Sequence, residues 1–140
     1  ADLLLSTLPK VLSGTRHAVP QPPEGATYAE KWEEDDWRIN WSEPLAVTLR
    51  RIRACSPVPG ARTSITGSPV KIFAAHQTAD QNFPAAEPGT IVEVNKAELI
   101  VSCRDGEFAA IDEMQFPGKN RLRIAELLRG RSFSPGQQFV

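Results

Sequence analysis

Apolar residues crowd the first twelve positions of the chain and predict a helix over residues 2–14. We expect Pro9 to bend this helix and Gly14 to end it. The apolar side chains cover more than one helical face, and they belong to Leu3, Leu4, Leu5, Leu8, Val11 and Leu12. Because so much apolar surface is rarely left in water, we expect residues 2–14 to pack against a part of the protein that precedes residue 1.

The hydrophobic pattern dissolves between residues 15 and 41, where prolines and acidic residues predominate. Prolines stiffen residues 19–25, and residues 32–37 read Trp-Glu-Glu-Asp-Asp-Trp. Such a composition is typical of a semi-rigid linker. We therefore predict that residues 15–41 form a linker arm that lies over a surface through its aromatic side chains. These are Tyr28, Trp32, Trp37 and Trp41.

Apolar residues return at helical spacing after Ser42 and predict a second helix that runs to about Cys55. The residues at positions i, i+4 and i+7 are Leu45, Leu49 and Ile52. Ser42 is the candidate N-cap and Pro44 the candidate first-turn proline. The stretch Pro57–Gly60 is expected to end the helix and turn the chain, since proline cannot continue a helix.

Short apolar segments separated by glycine-containing turns predict five β-strands in the rest of the chain. The segments span residues 61–66, 70–76, 89–94, 98–103 and 107–116. Asp105-Gly106 is the strongest hairpin signal among the turns. We therefore predict a mainly β fold for residues 42–140, a small five-stranded OB-like barrel, with a five-stranded sandwich as the alternative. A last short helix around Ile124 and Leu127 is expected to stop at Gly130.

Charge is distributed unevenly along the chain. Of the 140 residues, 41% are hydrophobic and 24% are charged, which is typical of globular proteins, and no apolar run is long enough to cross a membrane. The formal net charge of −1 argues against a nucleic-acid partner when it is taken alone. However, residues 1–40 carry four Lys/Arg against seven Asp/Glu, whereas residues 41–140 carry twelve against ten. Positive charge collects after Lys119.

The sequence contains no recognisable catalytic or metal-binding motif. His17 and His76 accompany no nucleophile motif, and we expect structural or surface roles for both. Cys55 and Cys103 form no metal-binding pattern and are predicted to be buried as small apolar residues. The acidic run of residues 33–36 is expected to be solvated. We therefore predict that residues 1–140 contain no catalytic residue, cofactor site or metal site.

The remaining chemistry belongs to basic residues on the predicted sheet and the last helix. Phosphate backbones are bound by such cations on the shallow face of small barrels. The alternative, that they are ordinary solubilising charges, stays open. The candidates for phosphate contact are Arg62, Lys71, Lys119, Arg121, Arg123 and Arg129.

Several stretches of the chain resemble the C-terminal part of methionyl-tRNA formyltransferases. They span residues 2–9, 20–22, 26–31, 39–41, 51–54, 57–63, 115–119 and 125–130. The most specific are the arm from Thr27-Tyr28-Ala29 to Trp41 and the turn Pro57-Val58-Pro59-Gly60-Ala61. Three positions depart from the family pattern, Glu30, Asn40 and Asn120, and the last of these weakens the basic patch.

The resemblance implies a cytoplasmic two-domain enzyme that transfers a formyl group from 10-formyltetrahydrofolate to the methionine of initiator Met-tRNA. Residues 1–14 would then be the last helix of the catalytic domain, 15–41 the interdomain linker and 42–140 the tRNA-binding domain. The implied partners are initiator Met-tRNA and the protein's own catalytic domain, packed on residues 2–14, with no membrane and no metal. The six basic residues would neutralise tRNA phosphates without reading bases.

A second hypothesis comes from related enzymes that carry similar C-terminal barrels. In that case the domain would be a structural or oligomerisation module of another 10-formyltetrahydrofolate-dependent formyltransferase or dehydrogenase. Such a module is expected to have a mixed-charge surface and no tRNA contact.

Overall fold

The computed structural model describes residues 2–80 and 82–140, and the chain divides after Lys31 into two units. The first unit contains helix α1, Asp2–Leu12, as the apolar pattern predicted. Pro9 lies inside the helix, and the chain leaves it through Gly14, which has a φ of +72°. All six predicted apolar side chains of α1 are largely exposed. Residues 15–31 contain neither helix nor strand and are exposed throughout.

The second unit begins with a short 3₁₀ turn, Glu34–Trp37, that leads into the core. The Glu33 N–H donates to Asp36 Oδ2 at 2.8 Å and closes this turn. Ile39 and Trp41 follow it and are buried with the core residues of the sheet. Residues 32–41 therefore pack as part of the second unit.

Helix α2, Leu45–Cys55, begins at the residue after Pro44. Pro44 occupies the N-cap position, so the prediction of Ser42 as the cap is wrong, because the chain becomes helical only after the proline. The helix buries one stripe, Leu45, Thr48, Ile52 and Cys55, while Leu49 is partly buried beside it. The turn after Cys55 ends at Gly60, whose φ is +83° and whose Cα faces the Phe73 ring.

Six antiparallel strands form one sheet in the described part of the second unit. They are β1 Ala61–Ile65, β2 Ser68–Gln77, β3 Ile91–Val94, β4 Leu99–Ser102, β5 Phe108–Gln115 and β6 Leu122–Arg123. The strand order is β1-β2-β5-β4-β3, and β6 pairs with β5. The mainly β fold is therefore confirmed, although the predicted count of five strands omitted β6. The Asp105-Gly106 turn joins β4 to β5 as a hairpin, as predicted.

The two edges of the sheet, β1 and β3, are not paired with each other, so strand pairing alone does not form the predicted barrel. Instead, the C-terminal tail, residues 136–140, hydrogen-bonds to both edges. Val140 and Ser64 exchange two backbone hydrogen bonds of 2.9 Å, and the Ile91 N–H donates to the Gln137 carbonyl at 2.8 Å. Phe139 in this tail is buried, with its ring 5.7 Å from that of Trp41.

Helix α3, Ile124–Gly130, follows β6 directly and ends where glycine was expected to stop it. Ile124 and Leu127 are buried in the core, so the helix covers one side of the sheet next to β5 and β6. Among the described residues, no helix combines the length and the apolar content that crossing a membrane requires.

Candidate nucleic-acid interface

Two of the six candidate cations face each other across the first hairpin. In the register of β1 and β2, Arg62 lies opposite Lys71, and Lys71 in turn lies opposite Gln115 of β5. Buried and half-buried residues alternate along β1, which turns Arg62 away from the core. The three side chains therefore form a polar row across three strands. They line one side of a groove of about 390 Å³, whose other walls include Pro69, Val70 and residues 116–118.

Both cations of this row are held by neighbouring groups. Arg62 forms an ion pair with Glu34, and its guanidinium lies 4.9 Å from the centre of the Trp37 ring. The Lys71 Nζ donates to the Pro59 carbonyl at 2.8 Å. The acidic run that was expected to be solvated is thus partly engaged, because the Glu34–Trp37 turn places Glu34 against β1.

A tight turn after β5 brings Lys119 close to the same groove. The Lys119 N–H donates to the Phe116 carbonyl at 3.1 Å, and Gln115 Nε2 donates to the Lys119 carbonyl at 2.7 Å. Gly118 adopts a φ of +66° in this turn and lines the groove. The Lys119 side chain is exposed, and within residues 2–80 and 82–140 it has no hydrogen-bond or ion-pair partner.

Arg121 and Arg123 lie together on the edge formed by β5 and β6. Arg121 pairs with Glu113, with its Nε 2.6 Å from Glu113 Oε2, and its guanidinium lies 4.6 Å from the centre of the Phe73 ring. Arg123 faces Glu113 in the strand register. Its side chain is exposed, and no described residue forms an ion pair with it.

Arg129 belongs to a third, separate group at the end of α3. It lines a shallow depression with Lys96, Arg131 and Phe133. The Arg131 guanidinium stacks 3.8 Å from the centre of the Phe116 ring. Lys96 was not among the predicted residues, because it lies in the β3–β4 turn and the sequence does not show which helix end that turn approaches.

The predicted site residues therefore occur in three groups. Arg62 and Lys71 share a groove with Lys119 beside it, Arg121 and Arg123 share the β6 edge, and Arg129 joins Lys96 and Arg131. Glu34 and Glu113 neutralise one cation in each of the first two groups. The common edge of Arg121 and Arg123 could not be predicted, because β6 has only two residues, too few to show an alternation of polar and apolar side chains.

Other reactive groups do not form a catalytic constellation in the described part of the chain. His76 Nδ1 lies 3.0 Å from both carboxylate oxygens of Asp112, but this pair sits on the exposed end of β2.

Cys55 and Cys103 are buried, as predicted. Burial raises the pKa of the Cys55 thiol, and burial with the nearby Glu107 carboxylate raises the pKa of Cys103 to about 12. Both therefore remain thiols at neutral pH. Within the described residues, no three His, Cys, Asp or Glu side chains are grouped to hold a metal ion.

The sequence of the second unit matches a known domain family. The sequence profile of the formyl transferase C-terminal domain matches residues 31–132, which begins one residue before the second unit and covers most of it. The chain belongs to the formyltransferase C-terminal domain family. The resemblance stated from the sequence is thereby confirmed at the level of the domain.

Curated relatives of this family member are longer proteins. The chain is 42% identical over 120 residues to a methionyl-tRNA formyltransferase of Variovorax paradoxus (strain S110), covering 86% of the chain and 37% of the relative. It is 40% identical over 130 residues to a methionyl-tRNA formyltransferase of Staphylococcus aureus (strain MW2), covering 93% of the chain and 41% of the relative. The chain thus spans about two fifths of the length of these relatives.

Solved structures support the fold of this formyltransferase domain. A multiple variant of HypX from Aquifex aeolicus superposes with a TM-score of 0.66 at 22% identity, covering 96% of the chain and 24% of HypX. HypX in complex with tetrahydrofolic acid gives the same TM-score and identity over 91% of the chain and 22% of that protein. At this identity the likeness concerns the fold alone.

Proposed function

We propose that the chain is the tRNA-binding C-terminal part of a methionyl-tRNA formyltransferase acting in the cytoplasm. The whole enzyme would formylate the methionine amino group of initiator Met-tRNA with 10-formyltetrahydrofolate as co-substrate. Identity of about 40% to relatives of that name over most of the chain supports this assignment.

The observation that carries the proposed role is the row of cations beside an apolar-walled groove. Arg62 and Lys71 face each other in register, and the 116–119 turn brings Lys119 alongside. A guanidinium and an ammonium group on neighbouring strands can both contact phosphates of an RNA backbone. Arg121, Arg123 and Arg129 would extend this contact as further phosphate ligands.

The contribution of such a domain to catalysis would be positional. Phosphate contacts fix the orientation of an RNA without reading its sequence, so that a distant acceptor end meets the reactive centre. The catalytic centre and the folate site would belong to the part of the enzyme that precedes this domain. The exposed apolar side chains of α1 are in keeping with packing of residues 2–14 against that part.

One observation favours a second candidate, a structural or oligomerisation module of another formyltransferase or dehydrogenase. Arg62 and Arg121 are paired with carboxylates, as expected for a mixed-charge surface without a polyanionic partner. This candidate predicts no measurable affinity of the chain for tRNA at low salt.

The two functions are distinguished by removing the three candidate cations whose side chains have no hydrogen-bond or ion-pair partner among the described residues. Lys119, Arg123 and Arg129 are exposed, so their joint replacement by Ala changes charge without disturbing the core. If they contact phosphates, affinity for initiator tRNA falls on the order of tenfold at low salt, and the slope of log affinity against log salt decreases by about two to three. The matched control replaces Lys10, Arg16 and Lys31 of the first unit, which are exposed as well, and leaves the affinity nearly unchanged. Equal losses in the two triple variants would contradict the proposed interface.

A further inference from the structure

The Arg62 side chain lies between two surface grooves of opposite character. On one side is the groove that contains Lys71 and residues 116–118. On the other side is a groove lined by Glu33, Glu34 and Asp35, together with Arg38 and the C-terminal Val140. The guanidinium of Arg62 is turned towards the acidic groove, where it forms the ion pair with Glu34.

The segment that carries Glu34 is fixed to both β1 and α2. The Ile39 N–H donates to the Arg62 carbonyl at 2.8 Å, and Arg51 Nη1 donates to the Asp36 carbonyl at 3.1 Å. The Trp37 ring lies against the Arg62 guanidinium. These contacts do not involve the Glu34 carboxylate, so the turn keeps its anchors when the ion pair with Arg62 is broken.

The ion pair between Arg62 and Glu34 is exposed to solvent, so another anion can replace the Glu34 carboxylate. The exposed fractions of the Arg62 and Glu34 side chains are 39% and 74%. Exposed ion pairs are weak because water and salt screen both charges. A carboxylate presents two anionic oxygens to a guanidinium much as a phosphate does. A phosphate that enters the groove can thus take the place of the Glu34 carboxylate.

We propose that Glu34 is an internal competitor for the RNA backbone at Arg62. The carboxylate occupies the guanidinium in the free chain, and Arg62 contributes to binding only when an RNA phosphate displaces it. Glu34 thereby lowers the affinity of the interface for RNA in general. Arg62 then contributes only to the binding of an RNA that the other cations already hold in place. This inference rests on the proposed function, because it needs an RNA that reaches Arg62.

The test compares two variants that remove the same charge at adjacent positions. Glu34→Gln removes the ion pair with Arg62, whereas Asp35→Asn removes a carboxylate that lines the same groove without pairing to any described cation. Binding of an initiator tRNA transcript to the 140-residue chain is measured at low salt. We expect Glu34→Gln to raise the affinity about two- to fivefold and Asp35→Asn by less than about 1.5-fold. Thermal unfolding of each variant is recorded in parallel.

An Arg62→Ala background completes the double-mutant cycle. There the gain from Glu34→Gln is expected to vanish, because no guanidinium remains for which carboxylate and phosphate compete. Equal gains in Glu34→Gln and Asp35→Asn, or a gain that persists without Arg62, would overturn the inference while leaving the proposed function intact. A lowered unfolding temperature with no gain in affinity would assign Glu34 a structural role instead. Absence of tRNA binding by the unmodified chain and by every variant would contradict the proposed function, and the inference with it.

Discussion

The two eleven-residue helices, α1 and α2, differ in the exposure of their leucine side chains. In α1 the apolar side chains are all largely exposed, and Leu4 has 65% of its surface accessible. In α2 the apolar stripe is buried, and Leu45 is only 1% exposed. Both helices carry leucine side chains, and exposure of these side chains to water is unfavourable in either helix. Burial of an apolar helix face therefore depends on a partner surface, which the sheet supplies for α2.

The same contrast separates the two units of the chain. The second unit completes its own core, from Ile39 near its start to Phe139 next to its last residue. The first unit has no buried residue among those described, so substitutions in it are expected to leave the unfolding of the second unit unchanged.

Phe139→Ala is expected to cost the most, because it removes a buried ring from the tail that joins both edges of the sheet. Truncation of a buried phenylalanine lowers the free energy of unfolding by about 3–5 kcal/mol. Val140→Ala is the control, since the Val140 side chain is exposed and its backbone hydrogen bonds to Ser64 remain. Urea denaturation measures both. Equal stability of the two variants would mean that the tail does not anchor the core.

Leu45→Ala and Leu4→Ala remove the same atoms from α2 and α1, so their effects on stability can be compared directly. Leu45→Ala should lower the free energy of unfolding of the second unit by about 2–5 kcal/mol. Leu4→Ala should change it by less than about 0.5 kcal/mol, as exposed substitutions do. Similar losses in urea denaturation would show that α1 is packed against the second unit in solution.

Gly89→Ala and Gly25→Ala compare two left-handed glycines with different surroundings. Their φ values are +88° and +81°, but a Cβ at residue 89 would lie 2.4 Å from the Phe139 carbonyl oxygen, whereas one at residue 25 meets nothing within 4 Å. The left-handed backbone alone costs about 1–3 kcal/mol for a non-glycine residue. Only Gly89→Ala should lower the thermal unfolding temperature of the second unit. A loss of the same size in Gly25→Ala would contradict the independence of the units.

The Cys103 thiol gives the second unit a dependence on alkaline pH. Burial raises its pKa from the ordinary 9.0 to about 12, so the unfolded chain ionises first. Stability is therefore retained below pH 9 and falls as the pH rises towards 12, by about 1.4 kcal/mol per pH unit. Cys103→Ala should show a shallower decline in denaturation experiments between pH 9 and 11. Identical slopes would mean that the thiol is not protected by the core.

Most regular elements were predictable because each carries a local signal. The spacing of Leu45, Leu49 and Ile52 specified α2, and the Asp105-Gly106 turn specified the β4–β5 hairpin. Strand β6 was not predicted because its two residues, Leu122 and Arg123, are too few to show an alternation of apolar and polar side chains. The tail was missed because its hydrogen bonds join Val140 to Ser64, and the sequence carries no sign of a contact over that distance.

The residue types of the candidate site could be predicted from the sequence, but the ion pairs that its cations form could not. Cations on strands and on α3 could be selected from composition, but the partners of two of them come from distant segments. Glu34 reaches Arg62 across 28 positions because the linker end is fixed to β1. Glu113 reaches Arg121 through the unpredicted β6. These ion pairs depend on how the chain folds, and a count of charges along the sequence does not reveal which of them meet.

A salt titration of the unmodified chain with initiator tRNA tests whether this domain holds RNA through its phosphates. The comparison ligand is an RNA duplex of equal length that lacks the tRNA fold. A backbone-binding surface predicts binding to both at low salt, with log affinity falling steeply and linearly as log salt concentration rises. Absence of binding to either RNA at low salt, or binding that does not respond to salt, would contradict the claim that this domain holds RNA through its phosphates.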